Sequence, residues 1–252
     1  MAQYGLIGFP LKHSFSKKYF NDKFEAENID AEYLNFEISD IKEIKTIIKN
    51  NPNLKGLNVT IPYKEQIIPY LNDLSKNARL IGAVNVVKFE YQKKKLKLTG
   101  YNSDIIGFKD SIQPFLQERG YKKALILGTG GSAKAIFYGL KQFGIEATYV
   151  SRTKSQDGVL AYEELTEEIL LENKVIVNCT PVGMWPHVDE CPDIPYQWIT
   201  KEHLLYDLLY NPNETLFMKN GKKQGATVKN GLEMLLLQAF ASWNFWNDAN
   251  PA

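Results

Sequence analysis

Cysteine is nearly absent: Cys179 and Cys191 are the only two. That excludes a disulfide-stapled scaffold. An excess of one charge sign is absent too, since 30 Lys and Arg stand against 29 Asp and Glu, for a net charge of +1. Nothing in that balance favours a nucleic acid or a membrane surface as partner. No apolar run approaches the length of a membrane span. There is no internal repeat, low-complexity segment or long linker. The opening Met-Ala-Gln-Tyr-Gly-Leu-Ile-Gly enters a strand-like pattern without a signal-peptide layout, so the cytoplasm is the expected location. A zinc site built from Cys179, His187 and Cys191 fits no usual ligand spacing and has no evident fourth ligand, so no metal is expected. What the chain does have is ordinary globular bulk. Its 252 residues, 44% hydrophobic and 23% charged, suffice for two modest domains.

The N-terminal half alternates strand and helix patterns. Residues 3–8 read as a buried strand, broken over 8–10 and followed by a loop over 11–16. Ser14 or Ser16 can cap the helix that runs to about Asn28, in which Tyr19, Phe20 and Phe24 share a face. Two hydroxyls two residues apart can also converge on one anion, such as a carboxylate. Residues 31–38 alternate as a half-buried strand. Asp40 opens a helix with Ile41, Ile44, Ile47 and Ile48 at helical spacing, and Asn51-Pro52 ends it. The next apolar run, with Leu54, Leu57 and Val59, must stop before Pro62, which cannot donate to a sheet ladder. Thr60 and Lys64 then lie near the carboxyl end of a strand, where open α/β sheets bind ligands. Helical segments follow to about Leu80, then Gly82-Ala-Val-Asn85 and a hairpin over 84–91 and 96–99. This order predicts a mainly parallel sheet.

Gly100-Tyr-Asn-Ser-Asp104 precedes a helix over 105–119, which Ser103 or Asp104 can cap. Ala124-Leu-Ile-Leu127 is a buried strand, and Gly128-Thr-Gly-Gly-Ser-Ala133 matches G-x-G-x-x-A before a helix that reaches Phe143. Strand, glycine turn and helix are the context that a dinucleotide fingerprint requires. Gly128 permits the tight turn, Gly130 a close approach of pyrophosphate, and Ala133 close helix packing. The helix N-terminus adds donors and its dipole. An acid able to hold a ribose 2′-hydroxyl, as for NAD, belongs after the next strand, 147–150. Ser151-Arg-Thr153 stands there instead. A guanidinium and a hydroxyl suit a 2′-phosphate, so the expected cofactor is NADP(H). A helix over 165–172 and a strand over 174–178 lead to the turn Thr180-Pro-Val-Gly-Met184, on the cofactor side. Residues 185–203 read as a loop, 204–207 as strand, 214–221 as helix and 226–228 as a short strand. Asn230-Gly231 enters an apolar helix over 232–246, whose polar exception is Gln238. A buried glutamine needs partners, in backbone or ligand.

Taken together and in order, several segments resemble the shikimate dehydrogenase family over essentially the whole chain. They are Ser14-x-Ser16, Asn58-Val-Thr-x-Pro-x-Lys64, Gly82-Ala-x-Asn85, Gly100-x-Asn102-x-Asp104, Gly128-x-Gly-Gly131, Ser151-Arg-Thr153, Thr180-Pro-Val-Gly-Met184, Tyr210 and Gly231-Leu-x-Met-Leu-x-x-Gln-Ala239. The resemblance implies an α/β protein of two domains. One is an N-terminal, mainly parallel α/β substrate domain, 1–102 completed by 231–252. The other is a Rossmann-like NADP-binding domain over 103–230. It implies reversible NADPH-dependent reduction of 3-dehydroshikimate to shikimate, a step of aromatic amino-acid biosynthesis. The family's catalytic lysine and aspartate fall on Lys64 and Asp104. Substrate contacts fall on Ser14 and Ser16 for the carboxylate, on Thr60, Asn85, Asp104 and Gln238 around the ring hydroxyls, and on Tyr210. Cofactor contacts fall on Gly128, Thr129, Gly130, Gly131 and Ser132, on Ser151, Arg152 and Thr153, and on Leu208 and Gly231. The implied partner is a small-molecule substrate, with no nucleic acid or membrane, in a monomer or homodimer.

The chemistry suits those residues. Hydride addition to a carbonyl puts negative charge on its oxygen, and a positioned ammonium such as Lys64 can stabilise that charge and give up a proton. Three departures from the family pattern stand out. Val86 replaces a frequent threonine. Ser151 and Gln156 stand where NADP-selective members usually carry Asn and a basic residue, with Lys154 a possible substitute. The loop 185–203 has no derivable role. The competing readings are a quinate/shikimate dehydrogenase using NAD, a non-catalytic cofactor-binding sensor on the same scaffold, and a fold-level relative acting on folate one-carbon units. The Ser-x-Ser pair and the Gln238 helix are not expected in the last.

Overall fold

The computed structural model describes residues 1–11, 15–92, 95–117, 119–153 and 158–248. It divides into two compact units, Met1–Ser103 with Ala239–Ala252, and Asp104–Gln238.

The first unit has six strands: β1 Ala2–Gly8, β2 Ala31–Glu37, β3 Leu54–Val59, β4 Asp73–Leu74, β5 Val86–Gln92 and β6 Lys95–Tyr101. The helices α1 Phe15–Ala26, α2 Ile44–Asn50 and α3 Lys76–Ile81 connect them. The sheet order is β2-β1-β3-β5-β6-β4. Around β1 the pairing is parallel, with β2 and β3 as neighbours; β5 is antiparallel to both β3 and β6. Alternation along the strands gives the sheet two apolar faces. Leu57, Val59, Val87 and Phe89 meet Ile41, Ile44 and Ile47 on one of them. Tyr4, Leu6 and Val86 meet Phe20, Phe24, Tyr33 and Trp246 on the other. Asp40 starts the isoleucine-bearing segment with a reciprocal cap. Its carboxylate accepts from the Lys42 N–H at 2.9 Å, and Glu43 accepts from the Asp40 N–H at 3.1 Å. Gly56 is needed where it is, because a Cβ there would stand 2.2 Å from Trp246 Nε1. That indole donates to the Val87 carbonyl at 3.1 Å.

The second unit is built from β7 Lys123–Leu127, β8 Glu146–Ser151, β9 Val159–Ala161, β10 Val175–Asn178, β11 Leu204–Asp207 and β12 Thr227–Lys229. Its helices are α4 Asp104–Leu116, α5 Gly131–Gln142, α6 Glu167–Glu172, α7 Leu216–Lys223 and the first half of α8 Leu232–Trp246. Every pairing is parallel, in the order β12-β11-β10-β7-β8-β9. The central strands are apolar on both faces, as parallel strands covered by helices must be. Ala124 and Ile126 pack with Phe108, Ile136 and Leu140. Leu125 and Leu127 pack with Leu170, Phe217 and Met218 on the opposite face. This is the doubly wound order, whose switch point lies between β7 and β10.

Several expected elements differ. The helical segments expected to about Leu80 are a 3-10 turn at Ile68–Tyr70 and the short α3, with the two-residue β4 between them not expected. The two prolines at 62 and 69 remove backbone donors there. The helix after Asp104 ends at Leu116, shortly after Pro114, and not at residue 119. Ser16 lies inside the first turn of α1 and not at its cap. Strand β9 fills part of what reads as a connection. Residues 231–238 group with the second unit because α8 packs on α4, where a Cβ on Gly107 would lie 2.5 Å from the Met234 carbonyl oxygen. Among the described residues no helix is long and apolar enough to cross a membrane.

Candidate active site

In the first unit, β3 delivers its end residues to the sheet's carboxyl edge. Thr60 follows Val59 directly, and its N–H donates to the Ile7 carbonyl at 2.9 Å. Lys64 is half-buried. Its backbone is fixed by the Val84 N–H, which donates to the Lys64 carbonyl at 2.7 Å, and by the neighbouring Tyr63 hydroxyl, which donates to the Ile38 carbonyl at 2.6 Å.

Beside these two lies a chain of neutral hydrogen bonds. The Ser16 hydroxyl bonds the Tyr33 phenol. Tyr33 in turn donates to Asn58 Oδ1 at 2.8 Å. Asn58 Nδ2 donates to Ser242 Oγ at 3.0 Å and to the Asn85 carbonyl at 3.3 Å. Ser103 Oγ stands 3.2 Å from Ser242 Oγ. Asn85 and Ser103 exchange two bonds, Asn85 Nδ2 to Ser103 Oγ at 2.9 Å and the Ser103 N–H to Asn85 Oδ1 at 2.7 Å. Burial holds the Tyr33 phenol well above its usual titration range, opposed by the bond from Ser16. Ser14 lies outside the described residues. Of the expected substrate residues in this unit, the network joins Ser16 and Asn85. Tyr33, Asn58, Ser103 and Ser242 are additions.

In the second unit, Asp104 is the first residue of α4 and is 2% exposed. Gln238 is half-buried where α8 crosses Gly107 of the same helix. The glycine turn after β7 behaves as the fingerprint requires. Gly128 has φ +103°, and its N–H donates to the Val150 carbonyl at 2.8 Å. Gly130 caps α5 without a side chain, and a Cβ on it would meet nothing within 4 Å. Thr129 and Gly130 are exposed, while Gly131 and Ser132 are half-buried in the first turn of α5. Arg152 and Thr153 follow β8 and are exposed, next to the half-buried Ser151. Across the switch point, Leu208 and Gly231 touch through backbone, for a Cβ on Gly231 would stand 2.0 Å from the Leu208 carbonyl oxygen. Tyr210 is half-buried, and burial raises its phenol above the usual range.

This arrangement has relatives. Residues 6–87 match the family model described as the shikimate dehydrogenase substrate binding domain. A shikimate dehydrogenase (NADP(+)) of Aquifex aeolicus is 39% identical over 97% of this chain and 90% of its own length. The chain belongs to the shikimate dehydrogenase family. Shikimate dehydrogenase 1 of Peptoclostridium difficile has a crystal structure that superposes with a TM-score of 0.85 at 38% identity, over all of this chain and 94% of that one. The Thermus thermophilus family member, solved with NADP(H) and shikimate, gives 0.83 at 28% identity over all of this chain and 95% of its own.

The second unit fits the cofactor of this family. An open approach over Gly130, the first-turn N–H groups of a 12-residue helix and an exposed arginine after β8 suit a pyrophosphate and a 2′-phosphate in turn. A further residue went unnoticed in the sequence. Asp207 ends β11 and is fully buried, with burial pushing its carboxyl up to about 6. A carboxylate that closes an otherwise apolar strand (Leu-Leu-Tyr-Asp) was the available signal.

Proposed function

We propose that the chain is an NADP-dependent shikimate dehydrogenase, reducing 3-dehydroshikimate reversibly to shikimate for aromatic amino-acid biosynthesis. The observation that carries this is its similarity to NADP-dependent shikimate dehydrogenases along nearly its entire length. When bound, the reduced nicotinamide supplies the hydride. In this reading the Lys64 ammonium stabilises the charge that develops on the carbonyl oxygen and hands it a proton. Asp104 completes the acid–base pair. Ser14 and Ser16 hold the substrate carboxylate, while Thr60, Asn85, Gln238 and Tyr210 orient the ring. Asp104 adds a contact to a ring hydroxyl. Thr129, Gly131 and Ser132 join Gly128 and Gly130 on the pyrophosphate. Ser151, Arg152 and Thr153 take the 2′-phosphate, and Leu208 with Gly231 meets the nicotinamide side. The first unit, with the end of α8, is the substrate domain, and the second binds NADP(H). The enzyme works in the cytoplasm, as a monomer or homodimer.

The test is the initial rate of nicotinamide reduction by purified protein, with shikimate and quinate each paired with NADP and NAD. Rapid reduction of NADP with shikimate alone is expected. Comparable rates with quinate or NAD would move the chain to the broader dehydrogenase. No turnover in any pairing, with NADP still bound, would make it a sensor.

A further inference from the structure

The second unit buries one carboxylate where two turns meet. Asn178 and Asp207, the last residues of β10 and β11, are partners in register. Asp207 Oδ1 accepts from the Leu209 N–H and from Asn178 Nδ2, both at 3.0 Å, and Oδ2 accepts from Thr215 Oγ1 at 2.6 Å. Asn178 Oδ1 accepts in turn from the Thr180 N–H at 3.0 Å and its hydroxyl at 2.6 Å. One carboxylate therefore reaches the turn after β10 through Thr180, and the turn after β11 through Leu209 and Thr215. Backbone bonds draw the same two turns together. The Leu208 N–H donates to the Asn178 carbonyl at 3.0 Å and the Trp185 N–H to the Asn211 carbonyl at 3.2 Å.

The position of this clasp gives it a task. A dinucleotide lies across the switch point of such a sheet, one nucleotide on each half. Arg152, after β8, marks the adenosine half. The nicotinamide half then falls to the ends of β10 and β11, the two turns that Asp207 ties. Thr180 also faces the fingerprint turn, with its methyl 3.2 Å from where a Cβ of Gly128 would be. A buried carboxylate surrounded by neutral donors is not what stability alone favours. Burial opposes the ionised form here, while Thr215, Leu209 and Asn178 support it.

We propose that Asp207 is a positioning residue for the nicotinamide half of NADP(H), its ionised carboxylate holding the turns after β10 and β11 in their receiving geometry. This rests on the NADP(H) reading above. The charge is essential to the geometry. Three donors aim at two oxygens, and a carboxamide would turn its own N–H groups toward at least one of them.

The experiment is equilibrium titration of the full chain with NADP+ and with adenosine 2′,5′-bisphosphate, which carries the adenosine half alone. In Asp207→Asn the dissociation constant for NADP+ rises about fivefold or more, that for the bisphosphate stays within about twofold, and the thermal midpoint does not fall. Thr215→Val, which keeps the charge and removes one donor along with the side-chain cap of α7, moves NADP+ the same way by about twofold or more while the bisphosphate stays within about twofold, and it decides the matter if Asp207→Asn does not fold. Unchanged NADP+ affinity in the folded variants overturns the proposal. So does equal weakening of both ligands with a lowered midpoint, the mark of a structural staple. If the wild-type chain binds neither ligand, the NADP(H) reading itself fails.

Discussion

The two units bury polar groups under their candidate half-sites in opposite ways. In the first, Ser16, Tyr33, Asn58, Ser242, Ser103 and Asn85 form a chain of hydroxyls and amides. In the second, Asn178, Leu209 and Thr215 converge on the Asp207 carboxylate, and Thr180 donates to Asn178 behind them. Hydroxyls donate and accept, so the neutral chain can reorient when an anion arrives. An ionised carboxylate only accepts, so the charged clasp has one arrangement and loses it on protonation. The first design suits a polyhydroxylated ligand whose own hydroxyls enter the network. The second suits a turn that must keep its shape at neutral pH. It follows that changes in one unit should register in one ligand's binding and not the other's.

The largest break in that comparison is expected at Lys64. Lys64→Ala should lower turnover by roughly a hundredfold to ten-thousandfold, the usual range for a lost general acid or base. NADP+ affinity should stay within about twofold, because Lys64 lies in the first unit, outside the glycine turn proposed to receive the cofactor. Single-turnover rates with saturating shikimate, alongside a cofactor titration, separate the two effects. Near-normal turnover would remove Lys64 from the chemistry.

A smaller effect is expected from the charged clasp, and it concerns stability. Burial raises the Asp207 carboxyl from 3.8 to about 6. The folded chain therefore holds this proton more tightly than the unfolded one. The group's stabilising contribution is complete below about pH 4 and is lost as pH rises through about 6. A shift of about two units corresponds to on the order of 3 kcal/mol. The exposed Asp73 works in the other direction, its carboxyl lowered by the Leu74 N–H and then by Lys97. The contribution must therefore be read as a difference between wild type and Asp207→Asn. Their unfolding free energies should diverge between pH 4 and pH 7, with the variant gaining relative to wild type as pH rises. Parallel curves would mean that Asp207 titrates normally. The titratable group set against Asp207 is the Tyr196 phenol, itself pushed up by burial and then by Cys191.

Elements whose logic is local were legible in the sequence. The glycine turn, the apolar strands Ala124–Leu127 and Leu204–Asp207, the isoleucine-bearing helix and the apolar last helix each carry their own period or punctuation. Strands β4 and β9, of two and three residues, do not, because strands so short have no period to read. The helical segments toward Leu80 were legible, and Pro62 and Pro69, which remove backbone donors, keep them short. The networks were hidden for a different reason. Asn58 and Ser242 are 184 residues apart, and nothing local to either names the other. Asp207 was readable as an anomaly, though not its partners. The sequence resemblance supplied Ser16 and Asn85 as candidates but not the Tyr33 and Asn58 between them.

The smallest effect sharpens the comparison from the neutral side. Tyr33 sits between Ser16 and Asn58 with its ring fully buried, stacked 4.8 Å from Phe20. Tyr33→Phe keeps that packing and removes only the hydroxyl, so Asn58 Oδ1 loses the donor at 2.8 Å. Ser16 loses its acceptor on the same side. Both groups retain other partners or solvent nearby, which limits the penalty to about 1 kcal/mol. If Ser16 meets the substrate carboxylate, the KM for shikimate should rise by roughly threefold to tenfold. Turnover at saturation and NADP+ affinity should change by less than about twofold. The carboxylate is where the network's effect should be felt, so an uncharged carboxamide analogue of shikimate should discriminate less between Tyr33→Phe and wild type than shikimate does. Equal sensitivity to the two would mean that Tyr33 supports the fold around Asn58 and leaves the orientation of Ser16 to others.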